Sequence, residues 1–438
     1  MNNKLLWKIH SWVGLYSGVI IAFLSLTGAV ALFRDEIDLG INPYLRKVEI
    51  SGEKVNMTEV VEREIAAHPD LALFEVELPK VENGTWNIRF FAKEKSRLFP
   101  IFWEVFVDPY TGDVLGERNY YTSFYYYLRN LHVRFYENFY GRQIVGLAGI
   151  ALLISTITGF LIYGKFMKNR SFWSIRRKNL RMMQADLHKL IGITALAFNL
   201  VIAITGSWLG LQPYLQKWLD IERPNSYKVA EKPLDKASDL AYSFDYDAVL
   251  EATKASFPEL VPTRIRPSTN GERTIKVLGD VPGKIQERFS NTLVFDKADF
   301  RQLFKYDISE GSFGGKLFYI QEPLHFGDFG GIWLKVFYCF FALTSGFLSL
   351  SGFIIYLKRT EKKRKEKPSF VELKPLLLRW SAGMLVFCAI VFALHAVWGI
   401  GIASLVVVVT FYSLLVGYLV KAGWLWGKKK LGREKALA

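Results

Sequence analysis

Uncharged apolar runs of about twenty residues recur along the chain, and that is the length of helix that crosses about 30 Å of hydrocarbon. Six such runs occupy residues 11–33, 142–163, 189–211, 331–357, 376–397 and 400–420, and each predicts a membrane helix. Long polar segments separate the first run from the second and the third from the fourth. In the first of them, the apolar spacing predicts an amphipathic helix over 57–67, started by Thr58 or a neighbour. Alternation then predicts strands near 73–78, 85–91 and 103–107, with Asp108-Pro-Tyr-Thr-Gly112 as a hairpin turn. The second segment repeats the order, with a helix at 245–256 and strands near 263–267, 273–277 and 292–295. Asp296 stands where Asp108 stood, without the turn glycine. The expected fold is an α-helical membrane protein with two α+β extracytoplasmic domains.

Domain boundaries follow from these runs. Helix 1 ends at 33, and 34–127 is the first external domain. Helix 2 falls in 128–164, a basic loop in 165–187 and helix 3 in 188–211. The second external domain is 212–322, helix 4 lies in 323–357 and a second basic loop in 358–375. A hairpin of two helices occupies 376–423, turning at Gly399-Ile-Gly401, and the tail is 424–438. Ala29-Val-Ala31 resembles a signal-peptide cleavage site, but the apolar stretch is long for a signal core, so helix 1 is expected to be retained.

Charge orients the helices. The formal net charge is +15, and it collects in short connections. Residues 164–187 carry seven Lys/Arg and one acid, 358–374 carry eight Lys/Arg, and 421–435 carry six. The long segments are not basic: 34–127 has 11 basic and 17 acidic residues, and 217–322 has 16 and 17. By the positive-inside rule both termini are cytoplasmic and both long segments external. The basic runs therefore read as topology signals in contact with lipid headgroups, not as a nucleic-acid surface. The only two cysteines, Cys339 and Cys388, lie in apolar runs, which excludes a disulfide framework and a Cys-rich metal site.

The strongest chemical signal is a repeat. Of six histidines, four fall at equivalent places. His10 and His188 each precede a glycine by four residues (Gly14, Gly192) and a Thr-Gly glycine by 18 (Gly28, Gly206). His132 and His325 each precede a late glycine by 27 (Gly159, Gly352). A helix–domain–helix unit thus occurs twice in the same orientation, implying a pseudo-twofold axis along the membrane normal. His10 can then face His188 near the cytoplasmic side, and His132 can face His325 near the external side. One interfacial histidine usually only bonds backbone or headgroups. Two pairs matched in depth suit axial ligation of haem iron from both faces, with the glycines admitting a flat macrocycle or, equally, close helix packing. Two axial imidazoles leave no open iron position, which favours electron transfer. His68, beside a helix end before Pro69, reads as a surface residue, and His395, which lacks a repeat partner, reads as structural. The aromatic run 120–127 reads as an interfacial belt, with a docking floor above the outer haem as the alternative. Gly311–Gly315 reads as a loop.

Lys8-Ile-His10-Ser-Trp12-Val-Gly14, Asp108-Pro-Tyr-Thr-Gly112, Asn130-Leu-His132, Asp186-Leu-His188-Lys-Leu-Ile-Gly192 and Glu322-Pro-Leu-His325 resemble the PepSY-associated membrane-helix family of bacterial inner-membrane proteins. Its members include iron-regulated membrane proteins and di-haem ferric-siderophore reductases. The resemblance implies two b-type haems, the inner held by His10 and His188 and the outer by His132 and His325. It further implies a cytoplasmic flavoprotein or quinol as electron donor, a periplasmic ferric siderophore as acceptor, and a role in iron acquisition. The alternatives from other classes are a non-redox protein that presents PepSY-type domains to a periplasmic peptidase or cell-wall factor, and a siderophore transporter.

Overall fold

The computed structural model describes residues 2–94, 96, 98–137, 140–166, 173–227, 244–267, 274–286, 289–361 and 370–437. The first half of the chain runs α1 (Asn3–Ala31), α2 (Arg34–Ile41), α3 (Met57–Ala67), β1 (Leu71–Glu77), β2 (Trp86–Ala92), β3 (Phe102–Val107), β4 (Val114–Asn119), α4 (Phe124–Arg134) and α5 (Tyr140–Phe166). The second half follows nearly the same order. It runs α6 (Leu180–Thr194), α7 (Leu196–Trp218), α8 (Tyr246–Ser256), β5 (Val261–Pro267), β6 (Thr274–Asp280), β7 (Asn291–Asp296), β8 (Gln302–Tyr306), α9 (Phe313–Phe326) and α10 (Gly331–Thr360). A last helix, α11 (Phe370–Leu437), closes the chain.

Five helices among the described residues are long and apolar enough to cross a membrane: Asn3–Ala31, Tyr140–Tyr163, Leu196–Trp218, Asp328–Thr360 and Lys374–Tyr418. They point large apolar side chains outward, such as Val19, Leu147, Phe160, Phe340 and Leu385. That surface suits lipid and not water. The fifth span holds both expected stretches, 376–397 and 400–420, on either side of Gly399. Gly399 breaks the helix at φ 76°, ψ −175°, and a Cβ on Gly401 would fall 2.0 Å from the Leu98 carbonyl oxygen.

Small residues bring the long helices together. A Cβ on Gly210 of α7 would lie 2.4 Å from Gly146 Cα of α5, and one on Gly149 would lie 2.7 Å from Ser207 N. Between α1 and α10 the approach is looser, with Gly346 against Ser25 and Gly18 against Ser349. Without a hydrophobic drive between helices in lipid, such close backbone contact is what holds them. Pro213 in α7 has no N–H, so the Leu209 carbonyl one turn back loses its helical donor. Arg142 of α5 supplies the replacement, donating to Leu209 O from Nε at 3.1 Å and from Nη2 at 2.7 Å.

Each polar segment sets four antiparallel strands against a helix, α3 in the first and α8 in the second, but they are not separate domains. β1 and β5 pair antiparallel at Val76–Ile265 and Glu77–Arg264, giving one eight-stranded sheet in the order β4-β3-β2-β1-β5-β6-β7-β8. One core spans the seam, from Val61, Ile88 and Val105 to Tyr246, Val277 and Leu293. The sequence expectation of two domains fails here because edge pairing is a backbone interaction that side-chain alternation does not encode. The structure adds two strands, β4 and β8, at the edges of the sheet, where no position is fully buried and so no alternation marks them in the sequence. Asn56, not Thr58, caps α3 by accepting from Glu59 N–H, and Thr58 is left to bond Asp245 and Asp247 at the start of α8.

The sheet face away from α3 and α8 carries a ladder of charge in the first half. Glu75, Arg89, Glu104 and Arg118 stand directly opposite one another across β1 to β4. Arg89 bonds Glu75 and Glu104, and Arg118 bonds Glu104 at 2.8 Å and Asp38 of α2 at 2.6 Å. Across the seam Arg264 and Arg266 also reach Glu75. Burial alone would raise the Glu75 pKa, but the charges of Arg264, Arg266 and Arg89 hold it below the usual carboxylate range. The ladder ties the sheet to α2, the first turn beyond α1.

Candidate functional site

Each of the four repeat-equivalent histidines sits on a different helix: His10 on α1, His132 on α4, His188 on α6 and His325 on α9. His132 and His325 therefore lie on short helices ahead of the long spans, and not at the starts of those spans. α4 ends at Phe135 and Tyr136, both left-handed, and α9 ends at left-handed Gly327. His188 is likewise set off from α7 by a break at Ala195.

The structure brings these side chains together in two pairs. The rings of His10 and His188 have centres 6.1 Å apart and lie at 88° to each other. The rings of His132 and His325 have centres 6.4 Å apart at 37°. The His132–His325 pair is the one nearer the sheet, whereas His10 lies in the first third of α1 and His188 in the middle of α6.

Every one of the four rings is received by a hydroxyl residue and the glycine that follows it on another helix. His132 Nδ1 lies 3.1 Å from Thr27 Oγ1, and a Cβ on Gly28 would be 2.9 Å from His132 Cε1. His325 Nδ1 lies 2.9 Å from Thr205 Oγ1, with Gly206 beside the ring. His188 Nδ1 lies 2.8 Å from Ser351 Oγ, with Gly352 beside it. His10 Nδ1 lies 3.1 Å from Thr158 Oγ1 and 3.0 Å from the Ser155 carbonyl, with Gly159 beside it. The hydroxyl takes a hydrogen bond from the imidazole, and the missing side chain of the glycine leaves room for the ring.

The geometry selects a tautomer. Each hydroxyl already donates to a carbonyl of its own helix: Thr27 to Phe23, Thr158 to Ile154, Thr205 to Val201 and Ser351 to Leu348. The oxygen is then free only to accept, and the Ser155 carbonyl beside His10 can do nothing else. With the hydroxyl protons so placed, Nδ1 is the donor in all four rings. Such a ring, oriented through its other nitrogen, is a ready metal ligand.

Cavities lie where the pairs face. One of about 460 Å³ is lined by His10, His188, Gly14 and Gly192, with Lys189 and Arg359 among its cationic residues. Gly14 borders open space and Gly192 meets only Leu348 Cδ2, at 3.7 Å, whereas Gly28 and Gly206 are filled against by histidine rings. The other cavity, about 150 Å³, is lined by His132, His325, Gly28, Gly206 and Phe326. Ile21, Leu152 and Ser345 line both and form the partition between them. Among the described residues no group of three or more His, Cys, Asp or Glu side chains is placed to hold a metal ion. The donors come in twos, which does not suit the three or four protein ligands of a zinc site.

The remaining expected sites have structural roles. His395 is fully buried: Tyr136 O–H donates to its Nδ1 at 3.1 Å, and its Nε2–H donates to Ser123 O at 2.9 Å. His68 stacks on Phe90 and bonds Glu64 O. The aromatic run 120–127 packs on Phe102 of β3 and on Phe392 and His395 of α11, joining sheet and helices. Ser312 caps α9, so Phe313, Gly314 and Gly315 are helical and not loop. The hydroxyl partners of the histidines were missed from sequence, although each directly precedes a glycine already singled out.

A family model described as the PepSY-associated TM region matches residues 7–359, which include all four histidines. Over 252 residues the chain is 28% identical to an uncharacterized protein of Pseudomonas aeruginosa. That match covers 53% of this chain and 63% of the relative, so the chain spans under two thirds of the length of that curated protein.

Proposed function

Because the chain belongs to the PepSY-associated TM family, we propose that it is a di-haem b membrane protein that moves electrons across the bilayer. The observation that carries this reading is the pair of facing imidazoles, found twice, each ring oriented by a hydroxyl at its Nδ1. An imidazole nitrogen ligates a first-row metal at about 2 Å, so two rings on opposite sides of one ion have centres about 6 Å apart. The observed 6.1 and 6.4 Å fit that spacing before any ligand is placed. The larger cavity falls within the range of about 300–1,000 Å³ typical of cofactor sites. The smaller one, at about 150 Å³, requires its walls to part.

Bound haem supplies a one-electron couple between ferric and ferrous iron. The chain contributes the rest. His10 with His188, and His132 with His325, would hold the two groups, and an iron held by two imidazoles would be left to electron transfer. Thr27, Thr158, Thr205 and Ser351 orient the rings, and Ile21, Leu152 and Ser345 separate the two sites. Along α1, His10 and Gly28 are 18 residues apart, or about 27 Å at 1.5 Å per residue. The two pairs thus sit near opposite faces of a membrane.

In this reading α11 crosses twice, making six crossings, and the helix–sheet–helix unit is a tandem duplication. The basic loops face the cytoplasm of a bacterial inner membrane, and the sheet faces the periplasm. The protein is then an oxidoreductase. One electron at a time comes from a cytoplasmic flavoprotein or membrane quinol and goes to a ferric siderophore or similar ferric complex, whose Fe(III) becomes Fe(II). The test is an absorbance spectrum and redox titration of the full chain purified in detergent. About two reducible, low-spin b haems per chain, reoxidised by a ferric siderophore, is the expected result. A folded preparation that neither contains nor takes up haem sinks the proposal.

A further inference from the structure

The larger cavity is charged at one end only. Along α1 it runs from Trp7 to Ile21, 14 residues or about 21 Å at 1.5 Å per residue. Its charged lining residues are Arg176, Asp186, Lys189 and Arg359. Asp186 and Lys189 stand beside His188 on α6. Arg359 lies seven residues past Gly352, the glycine against the His188 ring. α10 runs antiparallel to α1, since Gly18 meets Ser349 and Ser25 meets Gly346. Arg359 is therefore on the Trp7 side of the rings, about 10 Å beyond Gly352. The other end of the cavity holds Ile21, Leu152 and the hydrogen-bonded pair Asn199–Ser345, none of them charged.

The one acid of that lining is already matched. Arg176 holds Asp186 through its backbone N–H at 2.9 Å, Nε at 2.8 Å and Nη2 at 2.9 Å. These bonds keep Asp186 below the usual carboxylate range, against the effect of burial. Lys189 adds to the field on that carboxylate without bonding it. Among the described residues, neither half-buried Lys189 nor exposed Arg359 has a hydrogen bond or ion pair to its charged group. Arg176 and Asp186 cancel, which leaves two positive charges at this end. An ammonium and a guanidinium both pair with carboxylates, the guanidinium through two parallel bonds.

We propose that Lys189 and Arg359 receive the carboxylates of the ligand held between His10 and His188. This rests on the di-haem reading, in which those carboxylates are the two propionates of the haem. Its acidic edge then points outward, toward Trp7 and Arg359, and its apolar edge inward, toward Ile21 and Leu152. The reverse orientation would set two acids against uncharged walls, and burying a charge without a partner is costly.

The test uses the full-length chain stripped of haem and titrated with haem b or with its dimethyl ester, which lacks both acids. The His10–His188 site is read as the spectral component that His10→Ala removes. The wild type is compared with Lys189→Gln, Arg359→Gln and the double variant. Haem b affinity at this site is expected to fall about threefold in each single variant and about tenfold in the double. The ester is expected to bind all four proteins alike, which also reports that the variants are folded. Two outcomes overturn the assignment while leaving the haem site in place. One is wild-type haem b affinity in the double variant, which gives the two cations to lipid headgroups. The other is an equal loss of affinity for haem b and the ester, which marks them as packing residues. A wild type that takes up neither haem b nor the ester overturns this assignment together with the reading beneath it.

Discussion

Thr27-Gly28 in the first half and Thr205-Gly206 in the second receive His132 and His325 in the same way, hydroxyl to Nδ1 and glycine beside Cε1. Thr158-Gly159 and Ser351-Gly352 do the same for His10 and His188. Around these cradles the halves differ. The second half ends α9 at Gly327 (φ 65°) and starts α10 at Gly331 (φ 66°). The first half ends α4 with Phe135 (φ 50°) and Tyr136 (φ 62°), where a side chain costs about 1–3 kcal/mol. Tyr136 compensates by complete burial and by its bond to His395 of α11. The added helix thus braces the half that lacks glycine at its bend. The sheet differs too: the charged row Glu75, Arg89, Glu104, Arg118 has as its counterpart Arg264, Leu278, Thr292, Tyr306. Positions that orient an imidazole are the same in both halves, and positions that only pack are free to diverge.

The sharpest way to break this comparison is to remove one ring from each pair. His132→Ala is expected to cost one of two bound haems, and His10→Ala the other, as read by absorbance per chain. If both deplete the same spectral component, the pairs are not independent sites. Next in size are the hydroxyls. Ser351→Ala removes the hydroxyl that orients His188 and is expected to weaken haem binding about 10–100-fold. Thr158→Val is expected to cost less, because His10 Nδ1 keeps the Ser155 carbonyl. Equal losses would show that the carbonyl does not orient the ring.

The glycines separate the cradles by space. Gly28→Ala puts Cβ 2.9 Å from His132 Cε1, an overpacking worth about 1–3 kcal/mol. Gly352→Ala meets His188 Cε1 at an ordinary 3.5 Å and is expected to stay within about 0.5 kcal/mol of wild type in thermal unfolding. Tyr136→Phe tests the brace and is expected to cost about 1 kcal/mol, the usual worth of one hydrogen bond. A wild-type melting curve would mean that burial alone holds the bend.

The smallest effect is local and set by pH. Burial pushes Asp38 up, but bonds and charge from Arg118 and then Arg46 outweigh it and hold it below the usual range, as Arg264, Arg266 and Arg89 do for Glu75. A carboxylate depressed in the folded state adds stability above its unfolded pKa and loses it as pH falls through the folded value. Below about pH 4, hydrogen exchange is expected to quicken in β1–β4 before β6–β7. The reverse order would place the ladder outside the stabilising interactions of the sheet.

Much of the molecule was legible in its residues. Helices over 57–67 and 246–256 lie within a residue of their expected bounds, because apolar spacing and flanking caps carry their own signal. The equal spacings 18 and 27 matched His10 with His188 and His132 with His325. Along α1 the spacing is also depth, because a helix converts sequence distance into rise; the spacing of 27 instead crosses the break between α4 and α5. The chain alone could not say that the two polar segments share one sheet, since Val76 and Ile265 meet through backbone groups that every residue carries. Nor could it say which side chain takes each Nδ1. That depends on which helices touch, and only packing of α1 against α5 and of α6 against α10 sets Thr158 beside His10 and Ser351 beside His188. Local periodicity determined the elements and their depth, whereas partners distant in sequence were decided by the close fit of small residues between helices.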